Sequence, residues 1–284
     1  MLEADRLSVV QSVIFPNAHG PMQIQLHIQD VYLSHPQGEL YTKYWYNPAS
    51  EFAPLILFHE SLGSVQQWKQ FPEQLAYATG RSIIAYDRIG FGQSTGQTGL
   101  VQPDFVRLEA RQTLPILRQH FNITEFVTFG HSIGGGYAAG CALEYPEDCL
   151  ALIIESILAH ADEHMRAGIR QAQVAFQNPK WMQRLALYHA DKAESVLNAW
   201  INSWLSPRFE HWSIEHEIAQ LSCPTMIIHP ENDEYGRVDQ AERIVKALKA
   251  KNELHLIAQC GHVPHHEYPE LIVNKMAAFL EHIA

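Results

Sequence analysis

The sequence predicts an α/β fold: a mostly parallel central sheet with helices on both faces and a cap of helices inserted into it. Three observations lead there. Short apolar runs recur along the chain, stretches of helical periodicity separate them, and the alternation breaks once over a long segment of helical pattern alone. Strands that alternate with helices pair in parallel through right-handed crossovers. At 284 residues and 46% apolar side chains, the chain has ample material for one large domain and its core.

The first element is a β-hairpin. Alternating stretches from Gln23 to His35 and from Glu39 to Tyr46 flank a turn of Pro36, Gln37 and Gly38. Buried-strand signals follow at Leu55 to Phe58, Ser82 to Tyr86, Phe126 to Phe129, Leu150 to Ile154, Thr225 to Ile228 and Leu254 to Ile257. Helical patterns run from Gln66 to Thr79, Pro103 to His120, Ile133 to Tyr145, Tyr235 to Lys249 and Pro269 to Ile283. The helical-only stretch spans about Ser156 to Gln220. The expected organisation is therefore a core of residues 1–155 and 221–284 with a helical cap of residues 156–220. There is no internal repeat, low-complexity tract or Gly/Ser linker to mark off independent domains.

Composition narrows the partners. Twenty Lys and Arg stand against 31 Asp and Glu, and the formal charge of −11 repels phosphate backbones and anionic lipid surfaces. Nucleic acid is not an expected partner. No apolar run approaches the ~20 residues of a membrane span, so no membrane partner is expected either. The four cysteines (Cys141, Cys149, Cys223 and Cys260) contain no CxxC pair, and the first twenty residues lack the basic start and apolar core of a signal peptide. A cytoplasmic setting with free thiols is the expectation, and a tiny disulfide scaffold is excluded.

The sharpest local signal is Gly130, His131, Ser132, Ile133, Gly134, a GxSxG that directly follows a strand signal and opens a helix of small residues. Alone the pattern is weak; strand, turn and helix in that order make it specific. The spacing puts Ser132 on a sharp turn too crowded for a Cβ at the flanking glycines. A serine hydroxyl is a poor nucleophile near neutrality and needs a base, which in turn needs a carboxylate to fix its tautomer. After the strand signal Thr225 to Ile228 come His229, Pro230, Glu231, Asn232 and Asp233, which put a carboxylate past a strand's C-terminal end. Asp233 is the expected acid, with Glu231 and Glu155 as alternatives. Seventeen histidines make any single one uninformative. His262 stands out by position, directly after Gly261 in the loop that follows the last strand signal. His265 and His266 are expected to shape that loop.

The ordered set Ser132, Asp233, His262 resembles the serine-nucleophile branch of the α/β-hydrolase family, and the likeness covers nearly the whole chain. His59, Glu60, Ser61, Leu62, Gly63 and Ser64, with Trp68 soon after, resemble the family's loop after its third strand. Asp87 to Ser94 is similar to the family's DxxGxGxS, and Gly261 to Pro269 to its ending. The resemblance implies an α/β-hydrolase fold and an oxyanion hole made by the backbone N–H groups of Ile133 and Ser61, with Leu62 as the alternative second donor. Such donors are typically worth ~2.7 to 4 kcal/mol each to a tetrahedral intermediate.

Two positions depart from the pattern: Glu60 stands where the family usually has Gly, and Pro230 where the acid turn often has Gly. Glu60 either turns away to bond its own loop or presents its carboxylate to substrate. The expected activity is hydrolysis of a small-molecule ester through an acyl-enzyme. Carbon-carbon bond hydrolase, amidase or peptidase chemistry uses a similar triad, and a non-catalytic receptor on this scaffold is the alternative of another class. No metal or organic cofactor is expected.

Other candidates read as structural. Asp87 and Arg88 are expected to brace neighbouring loops. His160 and His164 would share one face of a helix, but no second ligand pair confirms a metal site, and solvated helix surface is the reading. Gly134, Gly135, Gly136 and Gly140 fit neither GxGxxG nor a P-loop, and are read as close helix packing. Four of the six tryptophans (Trp181, Trp200, Trp204 and Trp212) fall in the inserted segment. With Phe176, Tyr188 and Phe209 they either dock the cap or line an apolar pocket above Ser132, and docking is the preferred reading.

Overall fold

The computed structural model describes residues 6–17 and 20–284, with side chains described from Ile24 onward. Its centre is a nine-stranded sheet of order β1-β2-β3-β5-β4-β6-β7-β8-β9. The strands are β1 (Arg6–Asn17), β2 (Gly20–His35), β3 (Gly38–Tyr46), β4 (Leu55–Phe58) and β5 (Ile83–Tyr86), then β6 (Phe126–His131), β7 (Cys149–Glu155), β8 (Thr225–Pro230) and β9 (Asn252–Ile257). The first three pair antiparallel, and β3 joins β5 antiparallel. From β5 to β9 every pairing is parallel. The hairpin turn closes with His35 opposite Gly38, as the alternation predicts, while β1 is a further strand that the sequence reading does not contain.

The inner parallel strands are mainly apolar because both of their faces are covered, whereas the edge strand β9 is partly polar and half-exposed. In β4, Leu55 and Leu57 pack with Phe71, Leu75, Ile272 and Met276 on one side. Ile56 and Phe58 pack with Leu114, Tyr137 and Ala138 on the other. The covering helices are α1 (Phe71–Thr79), α2 (Leu108–Gln112), α3 (Leu114–Phe121) and α4 (Ile133–Glu144), with three more closer to the C-terminus. Between β7 and β8 the chain forms α5 (Glu163–Ala175), α6 (Pro179–His189), α7 (Ala193–Trp204) and α8 (Glu215–Ile218). Then follow α9 (Val238–Ala247), α10 (Pro264–Glu267) and α11 (Pro269–Leu280).

Two expected helices are broken. The stretch from Gln66 splits into a 3₁₀ turn, Val65–Trp68, and α1, with Lys69 at φ 53° between them. The stretch from Pro103 becomes a 3₁₀ turn, Phe105–Arg107, then α2 and α3. Pro72 and Pro115 lie in the first turns of α1 and α3, where a missing N–H costs nothing, and each disfavours a helix running straight through it.

The inserted helices are tied at their base by a single antiparallel bridge between His160 and Ser213, with Ala161 N–H donating to Trp212 and Ile214 N–H to Ala159. His160 therefore precedes α5 rather than lying on it, which corrects the expected i, i+4 pair with His164. Among the described residues no helix is long and apolar enough to cross a membrane. All four cysteines are free and buried.

Strand order fixes where a ligand meets the sheet. The chain crosses from β4 to β5 on one side, then returns to β6 on the other side of β4. The C-terminal ends of β4 and β6 therefore flank a topological switch point, where open α/β sheets leave a crevice. Ser61 follows β4 and Ser132 follows β6.

Candidate active site

Ser132 sits between β6 and α4 with φ 55° and ψ −124°, a conformation that costs a non-glycine residue of order 1–3 kcal/mol. Crowding imposes it. A Cβ at Gly130 would lie 2.1 Å from the Gly134 carbonyl oxygen, and one at Gly134 would lie 2.1 Å from that of Phe58. The Ser132 N–H is anchored to the Glu155 carbonyl at 2.8 Å. The turn projects Ser132 into the cavity while its neighbours His131 and Ile133 are buried.

Asp233 and His262 meet. Nδ1–H of His262 faces both carboxylate oxygens of Asp233, each at 2.9 Å. Asp233 Oδ1 also accepts the N–H groups of Tyr235 at 2.8 Å and Gly236 at 3.2 Å. Burial works against the Asp233 charge, but His262 and these amides outweigh it and hold the carboxyl below its ordinary range. The His262 loop is pinned at its backbone: Glu234 accepts from the His262 N–H and Glu267 from the Gly261 N–H, both at 3.0 Å. Ser132 and His262 line one cavity; among the described residues no hydrogen bond joins the Ser132 hydroxyl to an imidazole. In ligand-free hydrolytic sites such contacts are often long and tighten around substrate.

The loop after β4 is held from several sides. His59 donates through Nδ1 to the Glu60 carbonyl at 2.8 Å and accepts the Arg88 N–H at Nε2, 3.1 Å away, so its buried ring is the neutral tautomer. Burial and the Arg88 charge hold its pKa well below the usual value. Arg88 also bonds the Glu60 carbonyl and the Tyr137 hydroxyl. Asp87 accepts the amides of Val65 and Gln93, each at 2.6 Å, so this pair braces loops as its motif suggests. His189, at the end of α6, accepts the Gly92 N–H and donates to the Leu62 carbonyl, both at 2.9 Å. It links the inserted helices to the loop bearing Ser61, and its role has no local signature in the sequence.

Glu60 does not simply turn back on its own loop, and it stays at the cavity where a substrate would meet it. Its carboxylate reaches across to His131, with Oε2 3.6 Å from Nδ1, while part of it lines the cavity. Glu155, an alternative acid in the sequence, pairs with His265 and not with His262: its oxygens take the His265 N–H at 3.1 Å and Nδ1–H at 2.5 Å. His266 donates to the Gln67 carbonyl at 2.7 Å. Ligand atoms of His131, Glu155 and His265 lie within 4.8 Å of one another. They do not fit a metal, since both Glu155 oxygens are bonded to His265 and His131 Nε2 to the His262 carbonyl. His164, half-buried, also contacts the Asp233 carbonyl at 3.3 Å.

The cavity over Ser132 holds about 400 Å³. Its floor includes Ser61, Leu62, Ser132 and Ile133, and its walls are mainly apolar. Trp181, Trp200, Trp204 and Trp212 all reach it, as do Phe176 and Tyr188. Trp204 and Trp212 are also packed with Phe105 and Phe209, so docking and lining are not exclusive; Phe209 is fully buried and only packs.

Comparisons with known proteins bear on the fold and the family. Residues 53–208 match the family described as alpha/beta hydrolase fold. The chain is 33% identical over 117 residues to a proline iminopeptidase of Lactobacillus helveticus, covering 39% of this chain and 38% of that relative, well short of its full length. It is 24% identical over 208 residues to the human serine hydrolase BPHL, covering 69% and 68% of the two chains. Among solved structures, a membrane phospholipase A described as a bacterial virulence factor superposes with a TM-score of 0.71 at 22% identity, covering 89% of this chain and 86% of the other, which speaks for the fold alone. With the family match spanning more than half of the chain, the protein belongs to the alpha/beta hydrolase family.

Proposed function

We propose that the protein is a serine hydrolase that cleaves a small-molecule ester, or a related acyl bond, through an acyl-enzyme. The observation that carries the reading is the two-oxygen contact of Asp233 with His262 Nδ1 beside the strained turn that presents Ser132. Asp233 fixes the tautomer in which His262 Nε2 is free to accept a proton. In the first half-reaction His262 takes the Ser132 proton as Oγ adds to the carbonyl carbon. Backbone N–H groups of Ile133 and Ser61 receive the oxyanion, and His262 then protonates the leaving group. In the second, His262 deprotonates water, which attacks the acyl-enzyme, and the proton returns to Ser132. None of these steps calls for a metal or organic cofactor. The broad apolar cavity suits a bulky apolar acyl group or leaving group, burying surface at roughly 25 cal/mol per Å². Residues 156–220 serve as its cap in this reading, and the setting is cytoplasmic.

A second reading, amide or peptide hydrolysis, is favoured by the likeness to proline iminopeptidase. Labelling with a fluorophosphonate, followed by a screen of p-nitrophenyl esters of rising acyl length beside aminoacyl arylamides, separates the two. Ser132→Ala is expected to abolish labelling and turnover. Labelling that persists in that variant assigns the nucleophile elsewhere, and a native protein that neither labels nor turns over is a receptor on this scaffold.

A further inference from the structure

The fully buried side chain at His131, directly before Ser132, has no part in the proton transfers described above. Its Nε2 lies 2.8 Å from the His262 carbonyl oxygen. A carbonyl only accepts, so Nε2 carries a proton. Its Nδ1 has no hydrogen-bond partner and faces Glu60 Oε2 at 3.6 Å. A neutral ring with its proton on Nε2 would turn the Nδ1 lone pair toward that half-buried carboxylate, and two facing acceptors repel each other. Both nitrogens therefore face acceptors, and the doubly protonated ring satisfies both. Glu60 is placed for this by Gly63: a Cβ there would fall 2.1 Å from Glu60 Oε2, in the space the carboxylate occupies.

We propose that His131 is a positioning residue for the hydrolytic site: an imidazolium held by Glu60, it clamps the His262 carbonyl and keeps a positive charge beside the base. The proposal rests on the reading of Ser132, Asp233 and His262 as the reacting set. The His131 and His262 ring centroids are 5.0 Å apart, so positive charges on the two rings would repel each other, while the Asp233 carboxylate lies on the far side of His262 at Nδ1. The other groups around the pair bear on the same balance. Glu155, from the end of β7, adds negative charge near His131, and His265, from α10, lies against it with centroids 5.1 Å apart. His262 is faced by Asp233 at Nδ1, by Glu234 at its backbone N–H, by His229, and by Tyr235 at 4.8 Å between centroids. The direction of the His131 pKa agrees with the geometry. Burial alone would lower it, yet Glu60 and Glu155 push it up to about 9.

Two measurements test this. In the resting protein, ¹⁵N NMR of labelled histidine reports each ring directly. His131 is expected to carry protons on both nitrogens at pH 7.5, and to titrate closer to neutrality in Glu60→Gln. A singly protonated His131 in the unmodified protein would overturn the proposal, whatever the substrate. The second measurement is kcat/KM against pH with p-nitrophenyl butyrate. His131→Gln keeps a donor for the His262 carbonyl and removes the charge. It is expected to retain plateau kcat within about tenfold, with KM changed less than threefold, and to move the acidic limb up by about one pH unit. His131→Leu, which loses the clamp as well, should lose about 100-fold in kcat. An acidic limb in His131→Gln that coincides with the unmodified one removes the electrostatic role. If Glu60→Gln instead raises KM for cationic esters alone and leaves His131 protonated, Glu60 serves the substrate and the clamp is wrong. Should the unmodified protein turn over no ester and resist fluorophosphonate, the hydrolytic reading fails while the NMR titration still decides the charge on His131.

Discussion

At the scale of single residues, the strongest demand falls on Asp233. It accepts from the His262 ring and from two backbone amides, so an amide in its place would present an N–H to groups that donate. Asp233→Asn is therefore expected to rotate or retautomerise His262 and to lower kcat by about 10³- to 10⁴-fold, with KM changed severalfold at most. Steady-state kinetics on the best ester of the screen checks this, and a loss below tenfold would move the acid's role to another carboxylate. The turn that carries Ser132 and the contact of Asp233 with His262 follow stretches that stand out in the chain because the signal is local. Each of the three residues lies in a short stretch of turn residues just beyond an apolar run, and the C-terminal edge of a parallel sheet gathers such stretches. The Glu60 and His131 pair was not readable. One partner ends β6 and the other follows β4, and nothing in either stretch says that the two side chains point at each other. The only trace is a glutamate where a glycine is usual, and that trace left its destination open.

At the scale of elements, what the sequence announced was whatever the sheet's layering required. Strands β4 to β8 are mainly apolar and almost wholly buried because helices cover both of their faces, so they stood out from the chain, and their ends fell within a few residues of the runs that foretold them. Breaks within helices were less visible, since apolar periodicity continues across Lys69 while the backbone turns to φ 53° there, and α2 gives way to α3 at Thr113 with the backbone still in the helical region. The link between the inserted helices and the loop bearing Ser61 was invisible for another reason. It depends on one buried histidine, His189, that ends α6 and satisfies a backbone N–H and a backbone carbonyl from two different loops. His189→Leu keeps the bulk and strands both groups. Each buried group left unpaired costs about 1–3 kcal/mol, so a loss of about 2 to 6 kcal/mol in unfolding free energy is expected. Urea denaturation monitored by tryptophan fluorescence measures it. Activity should fall with stability, because the Leu62 carbonyl that His189 holds belongs to the same short loop as the proposed Ser61 donor. A variant of unchanged midpoint would mean the inserted helices are held by their aromatic packing alone.

At the scale of the whole molecule, buried ionisable groups set how stability depends on pH, and they pull in two directions. His59, His189 and His229 are kept below their ordinary pKa chiefly by burial, and His266 is lowered to about 4 for the same first reason. Each is neutral when folded but gains a proton when unfolded once the pH drops below about 6.5, so acid favours the unfolded chain. Asp233 and Glu155, both held below the usual carboxylate range despite their burial, add to the loss at lower pH still. His131 acts oppositely. Its folded pKa lies near 9, so its contribution is complete below about 6.5 and fades as the pH rises through 9. The formal charge of −11 makes a smaller and smoother contribution, since separated surface charges are largely screened at 0.15 M salt, where the Debye length is about 8 Å. The melting temperature should therefore peak close to pH 6.5, fall steeply toward pH 4.5 as several histidines act together, and fall more gently toward pH 9.5. Calorimetric scans at fixed ionic strength across that range check the shape. In His131→Gln the alkaline slope should flatten while the acid slope stays, because only one of the two opposing groups has been removed; a flat acid side in the unmodified protein would mean that the buried imidazoles titrate alike in both states.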